Sequence, residues 1–193
     1  MSGGRVIGVT EARGSGGEAG GGKGSSGKAG GGGGGRGERV EVGLRAVEDA
    51  DLDVFFEHQR DTEASGMAAV DARDKDQFAA HWVRVRANET AVLRTIVAGG
   101  AVAGNVVSWV QDGQRLLGYW VGREYWGRGI ATAALAQFVR QLPTRPLWAH
   151  VATHNAGSIR VLEKAGFRRD REQEAAMPGP EDGIEEFVFR LDA

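Results

Sequence analysis

The chain contains no cysteine, which excludes disulfides, thiolate metal sites and a cysteine nucleophile. It has no run of about 20 apolar residues, the length needed to cross a bilayer. The opening residues Met1-Ser2-Gly3-Gly4-Arg5 hold no apolar stretch of the kind a signal peptide uses. With no sign of an oxidising compartment, a cytoplasmic location is expected. A net charge of −2 lacks the basic excess of a general nucleic-acid binder, so neither nucleic acid nor membrane is expected as a partner. Four scattered histidines have no metal-ligand spacing, and no metal is expected.

What is present divides near residue 38. Of the 32 glycines, 18 lie in residues 1–38, including the run Gly30 to Gly35. Such a segment has too little apolar surface to offset the entropy of ordering it, and it is expected to be a disordered tail. The glycines lack a strict three-residue period, which excludes collagen. The tail carries a charge of +2, from five basic and three acidic residues, and the remainder carries −4, from 19 and 23. A mildly acidic body suits a cationic amine substrate and equally suits plain solubility. Residues 39–193 are long enough for one domain, and the whole chain is 41% hydrophobic.

Within that domain, alternation at Val40, Val42 and Leu44 predicts a strand. Asp49 or Asp51 can cap a helix through about His58, with Leu52, Phe55 and Phe56 on its apolar face. A polar stretch with Gly66 follows, and Asp74 to Arg86 predicts a second helix. Ala91 to Ala98, Val102 to Val110 and Arg115 to Val121 predict three strands. The tight turns Gly99-Gly100 and Asp112-Gly113 join them into an antiparallel meander. The period then changes: a helix from Gly129 to Leu142 stopped by Pro143, a strand from Leu147 to Thr153, and a helix from Asn155 to Ala165 closed by Gly166. An extended piece from Phe167 and a strand from Glu186 to Leu191 finish the chain. The order is that of an α/β fold with a mixed sheet.

The junction after Val121 is the most informative segment. Gly127 and Gly129 let backbone N–H groups approach a ligand, and the following helix offers unpaired N–H groups and the positive end of its dipole. Together they suit a phosphate, with Arg128, and also Arg123, able to add charge. A Walker loop needs Gly-Lys-Ser/Thr where this chain has Gly129-Ile130-Ala131, and a dinucleotide fingerprint needs a third glycine in a parallel unit. A pyrophosphate held without metal remains, beside the plainer reading of a βα turn that holds no ligand.

Two stretches carry a family resemblance. One runs from Leu117-Gly118-Tyr119-Trp120-Val121 through Trp126-Gly127-Arg128-Gly129-Ile130-Ala131-Thr132. The other is Asn155-Ala156-Gly157-Ser158-Ile159-Arg160-Val161-Leu162-Glu163-Lys164-Ala165-Gly166-Phe167. In that order and spacing they resemble the GNAT superfamily of N-acetyltransferases, over roughly Val42 to Leu191. The tryptophan at Trp126, where Gln or Arg is usual, makes the chain most similar to the Rim-type (RimJ/RimL-like) branch. The resemblance implies an acyl-CoA N-acyltransferase fold with an antiparallel N-terminal meander and a parallel, splayed strand pair in the middle. It implies acetyl-CoA as co-substrate, with N–H groups from Gly127 to Thr132 on the pyrophosphate and the strand end Tyr119-Trp120-Val121 against the pantetheine arm. It further implies that Asn155 meets the pantetheine or thioester region, a position where asparagine also serves as an ordinary helix cap.

The activity implied is acetyl transfer to a primary amine, a protein N-terminus or a small molecule, by direct attack on the thioester. Many relatives protonate the leaving thiolate with a tyrosine seven positions after the asparagine, and here that position is Leu162. Ser158 is the alternative acid, or merely a small residue that permits tight packing. His150, on a strand beside the presumed acyl site, and Glu57, on the first helix, are candidate bases. His58, Glu63 and Glu89 are others. An acyl-CoA-binding sensor without turnover stays open as a second reading, and a tail-tethered interaction protein as a third. A monomer or homodimer fits equally.

Overall fold

The computed structural model describes residues 40–70, 72–176 and 184–193. The glycine-rich segment 1–38 lies outside them. The elements follow in chain order: β1 (Val42–Arg45), α1 (Asp51–Arg60), α2 (Thr62–Ala68), α3 (Lys75–Ala87), β2 (Val92–Ala98), β3 (Ala101–Gln111), β4 (Gln114–Val121), α4 (Ile130–Gln141), β5 (Leu147–Ala152), α5 (Ala156–Lys164), β6 (Arg168–Arg169), α6 (Arg171–Ala176) and β7 (Glu186–Leu191). Among the described residues, seven strands form one mixed sheet in the order β1-β2-β3-β4-β5-β7-β6. The β4–β5 pair is parallel and the other pairs are antiparallel.

The turns that build the meander have the predicted chemistry. Gly99 and Gly100 both take positive φ, as do Asp112 and Gly113, the pattern of tight hairpins whose twist matches the strands. Asp74 caps α3 through a reciprocal capping box with Gln77. At the end of α5, the Phe167 N–H reaches the Leu162 carbonyl and the Gly166 N–H reaches Glu163, with Gly166 left-handed. That is the glycine-dependent helix stop anticipated there.

One face of the sheet carries α4 and α5. Ile130, Ala131, Ala134, Leu135 and Phe138 of α4 and Val161 and Leu162 of α5 pack there on Leu117, Tyr119, Leu147, Ala149 and Val151. The opposite face carries α1 and α3, where Phe55, Phe78 and Trp82 form a second cluster. α2 lies farther along that face, with Ala64 and Ala68 against Trp120.

Three local expectations are corrected. The polar stretch with Gly66 is the helix α2, capped by Asp61 through the Glu63 and Ala64 N–H groups. The start of α1 is capped by neither Asp49 nor Asp51: its cap position is Ala50, with no side-chain bond. Asp51 instead accepts both Arg45 guanidinium nitrogens at 2.6 Å, the Thr95 hydroxyl at 2.6 Å and the Glu48 N–H. The extended piece after Phe167 is only two residues of strand before α6. No helix among the described residues is long and apolar enough to cross a membrane.

Candidate functional site

β4 and β5 share only two ladder pairs, Arg115 with Leu147 and Leu116 with Trp148. Beyond them β4 stays with β3 as far as Val121, and β5 stays with β7 as far as Ala152. The two strands therefore diverge, leaving a wedge-shaped cleft between Leu117–Val121 and Ala149–Ala152. A β-bulge at Ile96/Val97 shifts the β2–β3 register, which bends the sheet beside the cleft. Gly104 lies there, and a Cβ on it would overlap the Trp120 carbonyl oxygen; only glycine permits so close a strand approach.

At the mouth of the cleft the chain makes a short 3₁₀ turn, Arg123–Tyr125, and then enters α4. Gly127 and Gly129 have φ of 69° and 74°, and nothing lies within 4 Å of a Cβ built on either. Gly129 is the cap residue of α4 and gives no side-chain bond to its first turn. The N–H groups of Ile130, Ala131 and Thr132 thus have no intrahelical acceptor. An uncapped helix start, open glycines and the exposed Arg128 beside them fit a pyrophosphate that needs no metal. Among the described residues no group of His, Asp and Glu has a metal-binding arrangement.

The two arginines and Trp126 divide the work. Arg123 is tied to Asp61 at 2.7 Å and Glu63 at 2.9 Å, so it anchors the loop to the start of α2. Arg128 stacks loosely over Tyr125, 5.9 Å from the ring centroid. The Trp126 indole N–H donates to the Val121 carbonyl at 2.9 Å and closes the loop onto the end of β4. Below the loop, the buried His58 contacts Glu124 at 3.3 Å. Burial holds the His58 imidazole below its usual range, against the opposing pull of Glu124.

Asn155 does two things at once. Its side-chain oxygen caps α5 by accepting the Ser158 N–H, and its amide donates to the Met67 carbonyl at 2.9 Å. His154 contacts the Gly66 carbonyl at 3.1 Å. The C-terminal end of α2 is thereby fixed against the start of α5, a link that the cap reading of Asn155 did not include. Ser158 is fully buried, and its hydroxyl has no protein partner. Leu162 is fully buried in the core.

The candidate bases separate by position. Glu57 is exposed and pairs with Arg60 at 3.1 Å, and Glu63 is engaged by Arg123. On β5, Leu147, Ala149 and Val151 face the core, so by strand alternation His150 lies on the opposite face, the one that carries Trp120 and α2. Its Nδ1 is 3.4 Å from Glu186 Oε2 of β7, and that carboxylate is 95% buried. Glu186 Oε1 has no other partner. Sequence reading did not single out Glu186; its partner lies 36 positions earlier, and only the sheet brings them together.

A family model described as acetyltransferase (GNAT) domain matches residues 41–168. No curated protein matches the chain. Among solved structures, RimJ of Mycobacterium smegmatis in complex with CoA-disulfide is 23% identical, with a TM-score of 0.60 over 80% of this chain and 85% of that one. Spermidine N-acetyltransferase from Vibrio cholerae, solved with CoA and spermine, is 16% identical, with a TM-score of 0.63 over 77% and 92%. An aminoglycoside acetyltransferase in complex with coenzyme A is 20% identical, with a TM-score of 0.61 over 77% and 94%. These likenesses agree with the splayed β4–β5 pair and its glycine loop, and the family match covers two thirds of the sequence: the chain belongs to the GNAT family of acetyltransferases.

Proposed function

We propose that the protein is an N-acetyltransferase that moves an acetyl group from acetyl-CoA to a primary amine. The observation that carries this is the β4–β5 cleft with the uncapped start of α4 at its mouth. N–H groups from Gly127 to Thr132, with Arg128, hold the pyrophosphate, and the pantetheine arm runs down the Leu117–Val121 edge toward the vertex at Leu116. Structural relatives named for spermidine and aminoglycoside substrates support an amine acceptor. Trp126 and the likeness to RimJ support the Rim-type branch.

In this reading the amine nitrogen attacks the thioester carbonyl, a C–N bond forms and the C–S bond breaks. A backbone N–H of β4 on the cleft side, toward the vertex end, stabilises the oxyanion. Glu186 favours a proton on His150 Nδ1, which leaves Nε2 as the acceptor for the amine proton. The Ser158 hydroxyl, buried without a protein partner, relays to the departing thiolate the proton that the amine gives up, so that the serine ends the step protonated. In this reading the catalytic domain is residues 39–193, and the protein acts in the cytoplasm.

A thiol-reactive dye with acetyl-CoA and a panel of amines tests the proposal. Amine-dependent thiol release, lost in His150→Gln, is expected. Leu162 favours a second reading: with a core leucine where relatives carry a tyrosine acid, the domain would bind acyl-CoA as a sensor. Stabilisation by acetyl-CoA with no amine-dependent release would select the sensor.

A further inference from the structure

On the sheet face opposite α4 and α5, a cavity of about 320 Å³ lies between α3 and β3, a size that suits a small ligand. Its floor is Val107 and Trp109, and its rim carries Arg73, His81 and Arg84. Neither arginine meets a carboxylate among the described residues, and each lies close enough to affect its neighbours: burial and then Arg84 depress the Arg73 guanidinium. Burial, Arg73 and Arg84 together hold His81 at about 4, so it is neutral near pH 7.

The uncharged groups of the cavity point the same way. Asn88 already uses its side-chain oxygen to accept the Thr90 N–H and hydroxyl. Gln111 uses its oxygen to accept the Trp109 indole N–H. Both amides thus keep their N–H₂ groups for a ligand while their acceptors are occupied. A cavity offering two guanidiniums and two amide donors, with both amide oxygens engaged, is built for an anion; it would repel a polycation.

Its position links it to the cleft. Val107 is paired with Gly118, directly beside the vertex where β4 leaves β5 after Leu116. The Val107 and Gly118 backbones are one strand spacing apart, about 4.8 Å. The pyrophosphate loop is at the other end of β4, so the thioester end of the arm comes to this vertex. We infer that the cavity receives the acid group of the acceptor, which is a primary amine bearing a carboxylate a short chain away, bound by Arg73 and Arg84. This rests on the acetyl-transfer reading above.

The test uses 6-aminohexanoate and 6-aminohexanamide, which share chain length and amine and differ in the acid. Calorimetry in the presence of CoA reads binding, and thiol release from acetyl-CoA reads transfer. The acid should bind at least about tenfold more tightly than the amide, the effect of one charge-assisted contact. The preference should fall to near one in the double variant Arg73→Gln/Arg84→Gln. Equal binding of acid and amide by the wild type, or a preference that survives in the double variant, overturns the inference. Arginine-dependent binding of the acid without thiol release would uphold the cavity's role as an anion site and contradict acetyl transfer.

Discussion

The Trp126 indole N–H and the Val121 carbonyl, 2.9 Å apart, join the first residue of the glycine turn to the last residue of β4. This bond fixes where the open N–H groups of α4 sit relative to the cleft edge. Trp126→Phe keeps part of the ring's packing and removes the donor. It should cost about 1 kcal/mol of stability and weaken CoA binding about fivefold, measured by thermal unfolding and calorimetry. Unchanged CoA affinity would mean that the loop holds its position without the bond.

Gly122 and His58 are coupled by contact. A Cβ at Gly122 would lie 2.5 Å from His58 Nε2 and 2.7 Å from Cδ2, while its φ of −56° suits any residue. Gly122→Ala should therefore destabilise by about 1–3 kcal/mol through overpacking alone. Combined with His58→Ala, the loss should be smaller than the sum of the two single losses. Strict additivity in a double-mutant cycle would place the two residues out of contact.

Asp51 predicts an acid-sensitive core. Burial alone would raise its carboxyl; bonds from Arg45, the Glu48 N–H and Thr95 outweigh that and bring it from 3.8 to about 2. A carboxyl depressed in the folded state stabilises above its unfolded value and loses that contribution as pH falls through the folded value. The contribution is about 2 kcal/mol at neutral pH, lost between about pH 4 and pH 2. Urea unfolding from pH 7 to pH 3 should show Asp51→Asn markedly less stable than wild type at pH 7, and less so as pH falls. A gap independent of pH would assign the cost to shape.

Ser158 separates a chemical role from a packing role. A fully buried hydroxyl without a partner gives the fold nothing to lose, so Ser158→Ala should leave the melting temperature unchanged or raise it. As the acid for the leaving thiolate, it should lower kcat about a hundredfold. Full activity in that variant would make Ser158 a packing residue.

The meander, the start of α3, the α4 and α5 boundaries and the glycine loop were legible because their signals are local: Gly99-Gly100, Asp112-Gly113, Asp74 and Gly166 each act within a few residues. α2 was not. Thr62–Ala68 contains Gly66 and is short, and it is held from a distance by Trp120, His154 and Asn155. The same reason hid Glu186, whose importance comes from the β5–β7 pairing. It also hid the cavity, since Arg84 and His81 read in sequence as the polar side of a helix. Arg123 was legible as a cation; its partners Asp61 and Glu63, 60 or more positions earlier, were not.

The central claim is that the uncapped start of α4 holds the pyrophosphate of CoA. Gly129 is a favourable place to test it, because a Cβ built there meets nothing within 4 Å and Asn and Asp both tolerate its left-handed backbone. CoA titrations of Gly129→Asp and Gly129→Asn, with nearly equal shape and unequal charge, isolate the electrostatic term. The aspartate should weaken CoA about a hundredfold more than the asparagine does. Equal affinities in the two variants would contradict the placement.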